Sequence, residues 1–150
     1  MPRVIGTRCG MKVVWIGLIA RGRGKEEDAR RAFAAAREMV TSEAAASPND
    51  PKILIMQGLI DAMLGRAEEA IAAGKRAVQV LPISADALDG PLLATNLAAI
   101  HAQLGDADQA MAALEKLVRQ IGGPTPGTLR IEPQWNSLRD DPRFQKLLEG

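Results

Sequence analysis

Apolar stretches recur along the chain, separated by short bends that carry glycine and charge. "VVWIGLIA" (Val13–Ala20) runs towards "RGKEEDA" (Arg23–Ala29), and two later bends, "LGRAEEA" (Leu64–Ala70) and "LGDADQA" (Leu104–Ala110), share its form. In all three an alanine follows five residues after the glycine. Leu-Gly reads as the end of one helix and Glu or Asp as the start of the next, where carboxylates meet the positive helix terminus. Each bend therefore predicts a helical hairpin. After Gly122 the pattern stops. "GGPTPGT" (Gly122–Thr128) predicts a loop and "LRIEPQW" (Leu129–Trp135) an extended run across the preceding helices. "DDPRFQKLL" predicts a last short helix with Asp141 as N-cap, Pro142 as first residue, and Phe144, Leu147 and Leu148 as apolar face.

Composition sharpens this to an all-α class. Hydrophobic residues make up 47% of the 150, yet aromatics only 3%, so alanine, leucine and isoleucine must build the core. Alanine favours helix and is a poor strand former. The length suits one domain, 1–150. The single Cys9, read as lying in an irregular N-terminal lead, excludes an internal disulfide or a cysteine-built metal site and fits a reducing cytoplasm. The longest apolar run has eight residues, well below the roughly 20 that span a bilayer, so no membrane association is expected. No small-x-small cleavage site follows that run, which argues against a signal peptide.

Three copies can be framed, at about 10–43, 51–84 and 91–124, with a C-terminal cap at about 129–150. Counted from Gly10, Pro51 and Pro91, position 8 is Gly17, Gly58 and Ala98, and position 20 is Ala29, Ala70 and Ala110. Position 27 is Ala36, Ala77 and Leu117, and Pro82 stands at position 32 of the middle copy. These positions resemble the signature of the tetratricopeptide-repeat family, in which small residues let two antiparallel helices approach closely. The resemblance implies a right-handed α-α superhelix of about three hairpins closed by a short capping helix, with Trp135 and Phe144 as anchors. The layout looks like the C-terminal repeat tails of bacterial multidomain signalling and regulatory proteins. The spacing departs from the family's 34 residues, being 41 and then 40. The first extension, "TSEAAASPND", is expected to lengthen the preceding helix before Asp50 caps the next, with Pro51 in its first turn. The second, "ISADALDG", reads as a turn or short helix. At position 24, Gly74 stands where the sister copies carry Phe33 and Leu114, so a neighbouring helix is expected to fill the gap.

The search for chemistry comes back empty. A phosphate loop needs G-x-x-x-x-G-K-[ST], but Gly74-Lys75 is followed by Arg76 and its first glycine would have to be Glu69. Gly17 and Gly22 are correctly separated, yet Arg23-Gly24 follow. His101, the sole histidine, stands at position 11, where the family resemblance implies an aromatic residue and this chain has Ala20 and Asp61 in the other copies, which points to packing rather than catalysis. The carboxylate pairs Glu68/Glu69, Asp106/Asp108 and Asp140/Asp141 sit at helix starts, where capping explains them. No catalytic constellation, cofactor motif or metal-ligand spacing is present, and a non-enzymatic protein is expected.

The family resemblance implies a concave groove lined by the first helix of each copy. Candidate peptide-binding residues are Trp15 and Leu18, then Lys52, Ile55, Met56, Leu59 and Met63, then Thr95, Asn96 and Gln103. The terminal-carboxylate clamp of chaperone-binding family members has only Asn96 to match it, with Val14, Leu18, Met56 and Leu92 in the other clamp positions. The apolar stripe reads two ways: burial by the N-terminal segment, the cap or a second copy, or a groove for an amphipathic helix or an apolar peptide. The leading expectation is a protein-interaction scaffold with an unidentified protein or peptide partner. A homodimer built on the apolar groove is the alternative. A third class is acidic-partner or nucleic-acid binding through the first 37 residues, where nine Lys/Arg face three acids, against ten and fifteen in the rest. The formal net charge of +1 and the acids around Arg30 and Arg31 make nucleic acid the least favoured partner.

Overall fold

Three glycines turn the chain in the same way. Gly24, Gly65 and Gly105 have φ of 74°, 76° and 82°, a left-handed conformation that glycine adopts without a β-carbon clash. Around each, two backbone bonds close the preceding helix. Gly24, Gly65 and Gly105 donate to the carbonyls of Arg21, Ala62 and Ala102, and the next residues donate to those of Ala20, Asp61 and His101. That paired pattern is the Schellman termination. All three glycines stand at position 15 of their copies, so one turn chemistry is used three times.

The computed structural model describes the backbone from Pro2 to Gly150 and the side chains from Gly10 onward. All of its regular structure is helical, with no strand among the described residues. The turns join α1 (Pro2–Gly22) to α2 (Glu26–Ala46), α3 (Pro51–Met63) to α4 (Ala67–Val80), and α5 (Asp89–Gln103) to α6 (Ala107–Leu117). Each pair packs as a hairpin, and successive hairpins meet through α2 on α3, α4 on α5 and α3 on α5. As expected, α2 absorbs most of the first extension, ending at Ala46, and the Asp50 carboxylate accepts the Lys52 N–H at 2.9 Å with Pro51 in the first turn. In the second extension Asp86 accepts the N–H groups of Leu88 and Asp89, both at 2.8 Å, which holds the turn before α5.

The N-terminal lead is not irregular, since helix runs from Pro2; the Cys9 side chain lies outside the described residues. No described helix is long and apolar enough to cross a membrane. The 21-residue α1 has the length, but it carries Arg3, Arg8, Lys12 and Arg21.

Small residues set how closely the hairpins close. Ala29, Ala70 and Ala110, at position 20, are all 0% exposed, and so are Ala36 and Ala77 at position 27. A β-carbon on Gly17 would lie 2.5 Å from Cε1 of Phe33, so Phe33 of α2 sits directly on the α1 backbone. On Gly74 it would meet Leu97 Cδ1 at 2.8 Å and Ile100 Cδ1 at 2.9 Å. The neighbouring helix α5 thus fills the position left empty in α4, as the comparison with Phe33 and Leu114 anticipated.

The tail departs from the sequence expectation. "LRIEPQW" does not run extended: α7 (Pro126–Ile131) is followed by a 3-10 helix (Pro133–Leu138) and then α8 (Pro142–Leu148). The loop "GGPTPGT" hides a start signal, because Thr125 and Thr128 form a reciprocal capping box with Pro126 in the first turn. Only Glu132, preceding Pro133, stays extended, as proline demands of the residue before it. Leu129, Trp135, Leu138 and Phe144 bury themselves against Ala98, Ala102, Ala110, Met111 and Leu114. Trp135 and Phe144 are both 0% exposed, as their reading as anchors requires. The Ser137 hydroxyl donates to the Ala102 carbonyl at 2.8 Å, and Trp135 Nε1 to Glu132 Oε2 at 3.0 Å. The tail covers the last hairpin.

Candidate interaction surface

The ten candidate groove residues divide by burial. Trp15, Lys52 and Gln103 are exposed, while Leu18, Leu59, Met63 and Asn96 are half-buried. Ile55, Met56 and Thr95 are buried. Ile55 belongs to the cluster of α3, α4 and α5 side chains with Leu54, Ala77 and Leu93. Met56 belongs to a different one, with Phe33, Ala36 and Val40 of α2. Thr95 turns its hydroxyl back to the Pro91 carbonyl at 2.7 Å, a local bond that satisfies it inside the helix. Position 6 of α3 therefore lies on the side that the preceding hairpin covers, and Trp15 holds that same position on α1.

What remains open on the first-helix face is mixed in character. Lys52 Nζ stands 3.3 Å from Asp89 Oδ2 and links the starts of α3 and α5. Leu92 is 53% exposed beside them in the sequence of α5, and Gln103 closes the far end of that helix. Leu59 packs partly against both the α3–α5 cluster and the cap cluster. Between α1 and α3, Arg21 donates to the Met63 carbonyl at 3.0 Å and to Glu26 at 3.1 Å, and its guanidinium lies 4.9 Å from the Phe33 ring centroid. A carbonyl, a carboxylate and a π-face thereby fix one cation.

The hairpin turns carry a polar arrangement that the sequence reading passed over. At position 11, Asp61 is 1% exposed, and its Oδ1 accepts from Arg37 Nε at 2.5 Å and stands 3.4 Å from Arg66 Nε. In the next copy His101 Nδ1 lies 3.3 Å from Asp106 Oδ2. Positions 11 and 16 thus meet in both copies, with the carboxylate at position 11 in one and at position 16 in the other. The signal was available, since Asp61 and Arg66, and again His101 and Asp106, stand five residues apart across corresponding turns.

A second feature that the sequence reading missed is a cleft of about 720 Å³ between α6 and α8, lined by Glu115, Val118, Arg119, Arg143, Lys146 and Leu147 among others. Arg143 is already engaged, with Asp141 at 2.7 Å and Asp108 at 2.9 Å. The Arg143 guanidinium and its backbone N–H hold the Asp141 carboxyl below the usual carboxylate range, and the two carboxylates raise the arginine in turn. Among the described residues, no group of three or more His, Cys, Asp or Glu side chains converges as a metal site would. No buried side-chain polar atom among them lacks a hydrogen-bond partner. Comparison with protein-family models, curated proteins and solved structures finds no match to this chain.

Proposed function

We propose that the chain is a tetratricopeptide-like array of three hairpins, wound as a right-handed α-α superhelix and serving as a non-enzymatic protein-interaction module. The observation that carries this reading is the threefold use of one design. Position 15 is a left-handed glycine in every hairpin, and position 20 is an alanine with no exposed surface in every hairpin. A scaffold of this kind uses its first-helix face for recognition. The open part of that face offers Lys52 and Gln103 with half-buried Leu59, Met63 and Asn96, polar groups around an apolar floor that suit a peptide or helix.

The test is a capture experiment with surface changes that spare the core. Lys52→Glu combined with Gln103→Arg alters only exposed positions, so the melting temperature is expected to stay within a few degrees of wild type. Proteins retained by the wild type and lost by this variant support the groove. Identical retention by both removes the groove from consideration.

A further inference from the structure

Position 10 is isoleucine in all three copies: Ile19, Ile60 and Ile100. Ile60 and Ile100 are 0% exposed, whereas Ile19 is 53% exposed. The buried two owe their burial to the hairpin before them. Ile60 clusters with Phe33, Ala36 and Val40 of α2, and the Ile100 tip enters the space beside Gly74 of α4 and Gly58 of α3. The other positions on this side follow suit. Position 3 is Ile53 (4%) and Leu93 (3%) in the later hairpins, and position 6 is Met56 (8%) in the second. On α1 the same side presents Trp15 at 53%, Ile16 at 59% and Met11 at 40% exposure. Met11, Trp15 and Ile19 are spaced one helical turn apart and so form a continuous row.

We propose that this outward face of α1 docks an amphipathic α-helix of a partner protein, one with a small aliphatic face and acidic flanks. The hairpin register identifies the shape of the occupant, because the equivalent faces of α3 and α5 are each covered by a helix, α2 and α4 respectively. Apart from Phe33, which packs over Gly17 of its own hairpin, those covering helices present alanine, glycine and aliphatic side chains, among them Ala36, Val40, Gly74 and Ala77.

Charge identifies the rest. From residue 2 to residue 22 the chain has no Asp or Glu, and while Arg21 is held by Met63 and Glu26, the Lys12 side chain is exposed and without an acid on its own helix. Lys12 is exposed at position 3, where the later hairpins bury Ile53 and Leu93. Pairing α1 with the α1 of a second copy sets two acid-free helices, each with an exposed Lys12, against one another, which disfavours self-association. Head-to-tail stacking of copies is blocked as well, since the chain's own tail lies over α6. An acid-flanked helix meets both the apolar row and Lys12. The inference rests on the hairpin register and not on the groove of the first-helix face.

The full chain reports its own docking, because Trp15 is exposed and Trp135 is fully buried, so acrylamide quenching reads Trp15. The probe is a synthetic 21-residue helix with an Ala/Leu face and Glu flanks, compared with a twin that has Lys flanks. The Glu-flanked helix is expected to shift Trp15 emission to the blue and protect it from quenching, and the twin to bind at least about tenfold more weakly. Ile19→Glu and Ile16→Glu, both at exposed positions, are expected to abolish the shift with the melting temperature unchanged. Lys52→Glu/Gln103→Arg is expected to bind the probe like wild type, which separates this face from the groove. Four outcomes overturn the proposal: no binding of either helix, equal binding of both, the same protection on phosphatidylserine vesicles, or dimerisation through α1 in sedimentation.

Discussion

The δ1 methyl of Ile100 lies 2.9 Å from the point that a β-carbon on Gly74 would occupy, and 2.8 Å from the corresponding point on Gly58. One isoleucine of the third hairpin thus fills space that two glycines leave open in the second. In the first hairpin Phe33 of α2 fills the equivalent space over Gly17 from within the same hairpin. The volume at this level is kept while its source changes, which is what a close-packed interior requires when one position shrinks. Gly74-Lys75, which has the outward form of a phosphate-loop ending, is the socket of a helix–helix joint.

Enlarging position 74 should therefore conflict with Ile100. Gly74→Leu is expected to destabilise by about 1–3 kcal/mol through overpacking, despite the better helix propensity of leucine. Ile100→Ala is expected to cost about 2–5 kcal/mol by opening a cavity at the same place. Because both changes address one space, the double variant should recover about 1 kcal/mol or more relative to the sum. Urea unfolding of the four proteins measures this. Strict additivity would show that the two residues do not share a space.

Much of the architecture was legible because its signals are local. Leu-Gly before a polar turn, Asp50-Pro51 and Asp141-Pro142 each specify a helix boundary within a few residues, and all appear where expected. The tail was less legible, because the capping threonines Thr125 and Thr128 lie inside a run of glycines and prolines that reads as loop. The candidate groove fared differently residue by residue. Which side of α3 faces α2 and which faces solvent depends on how hairpins stack, a non-local matter. The sequence pattern could therefore nominate Met56, Leu59 and Lys52 together, while stacking buries the first, half-covers the second and exposes the third.

The ion pair at Asp61 should matter to stability more than the many surface pairs. Its carboxylate is 1% exposed and depends on Arg37 at 2.5 Å, with Arg66 farther away at 3.4 Å. Arg37→Ala removes the nearer cation and leaves a buried charge underpaired, with an expected cost of about 3 kcal/mol. Adding Asp61→Leu removes the stranded charge and should return a good part of that loss. Thermal melts of the two variants decide it. If the second change adds to the first, the carboxylate is not what Arg37 serves.

Trp135 is expected to be the most costly single residue in the tail. It is fully buried among Ala102, Met111 and Leu114, and its indole N–H is held by Glu132. Trp135→Ala should cost about 3–5 kcal/mol and uncover the apolar side of α5 and α6. Binding of a hydrophobic dye at temperatures below the main transition should then rise relative to wild type. Trp135→Phe, which keeps most of the volume, is expected to show little such binding. A variant Trp135→Ala that melts like wild type would mean that the tail does not stabilise the last hairpin.

Asp141 gives the tail a defined response to acid. Its carboxylate caps α8 through the Arg143 N–H at 2.9 Å and pairs with the Arg143 guanidinium at 2.7 Å. The guanidinium first, and the backbone N–H after it, lower the folded pKa below the unfolded value of about 3.9. A depressed carboxylate contributes stability that is complete above the unfolded pKa and is lost as pH falls through the folded one. Asp141→Asn keeps an N-cap acceptor and removes only the charge. The variant is therefore expected to melt lower than wild type at pH 7, and the gap should narrow below about pH 4 and close as the wild-type carboxyl becomes protonated. Thermal melts of both proteins between pH 7 and pH 2 measure it. A gap that stays constant across that range would mean that the side chain acts by its shape and hydrogen bond alone, with no contribution from its charge.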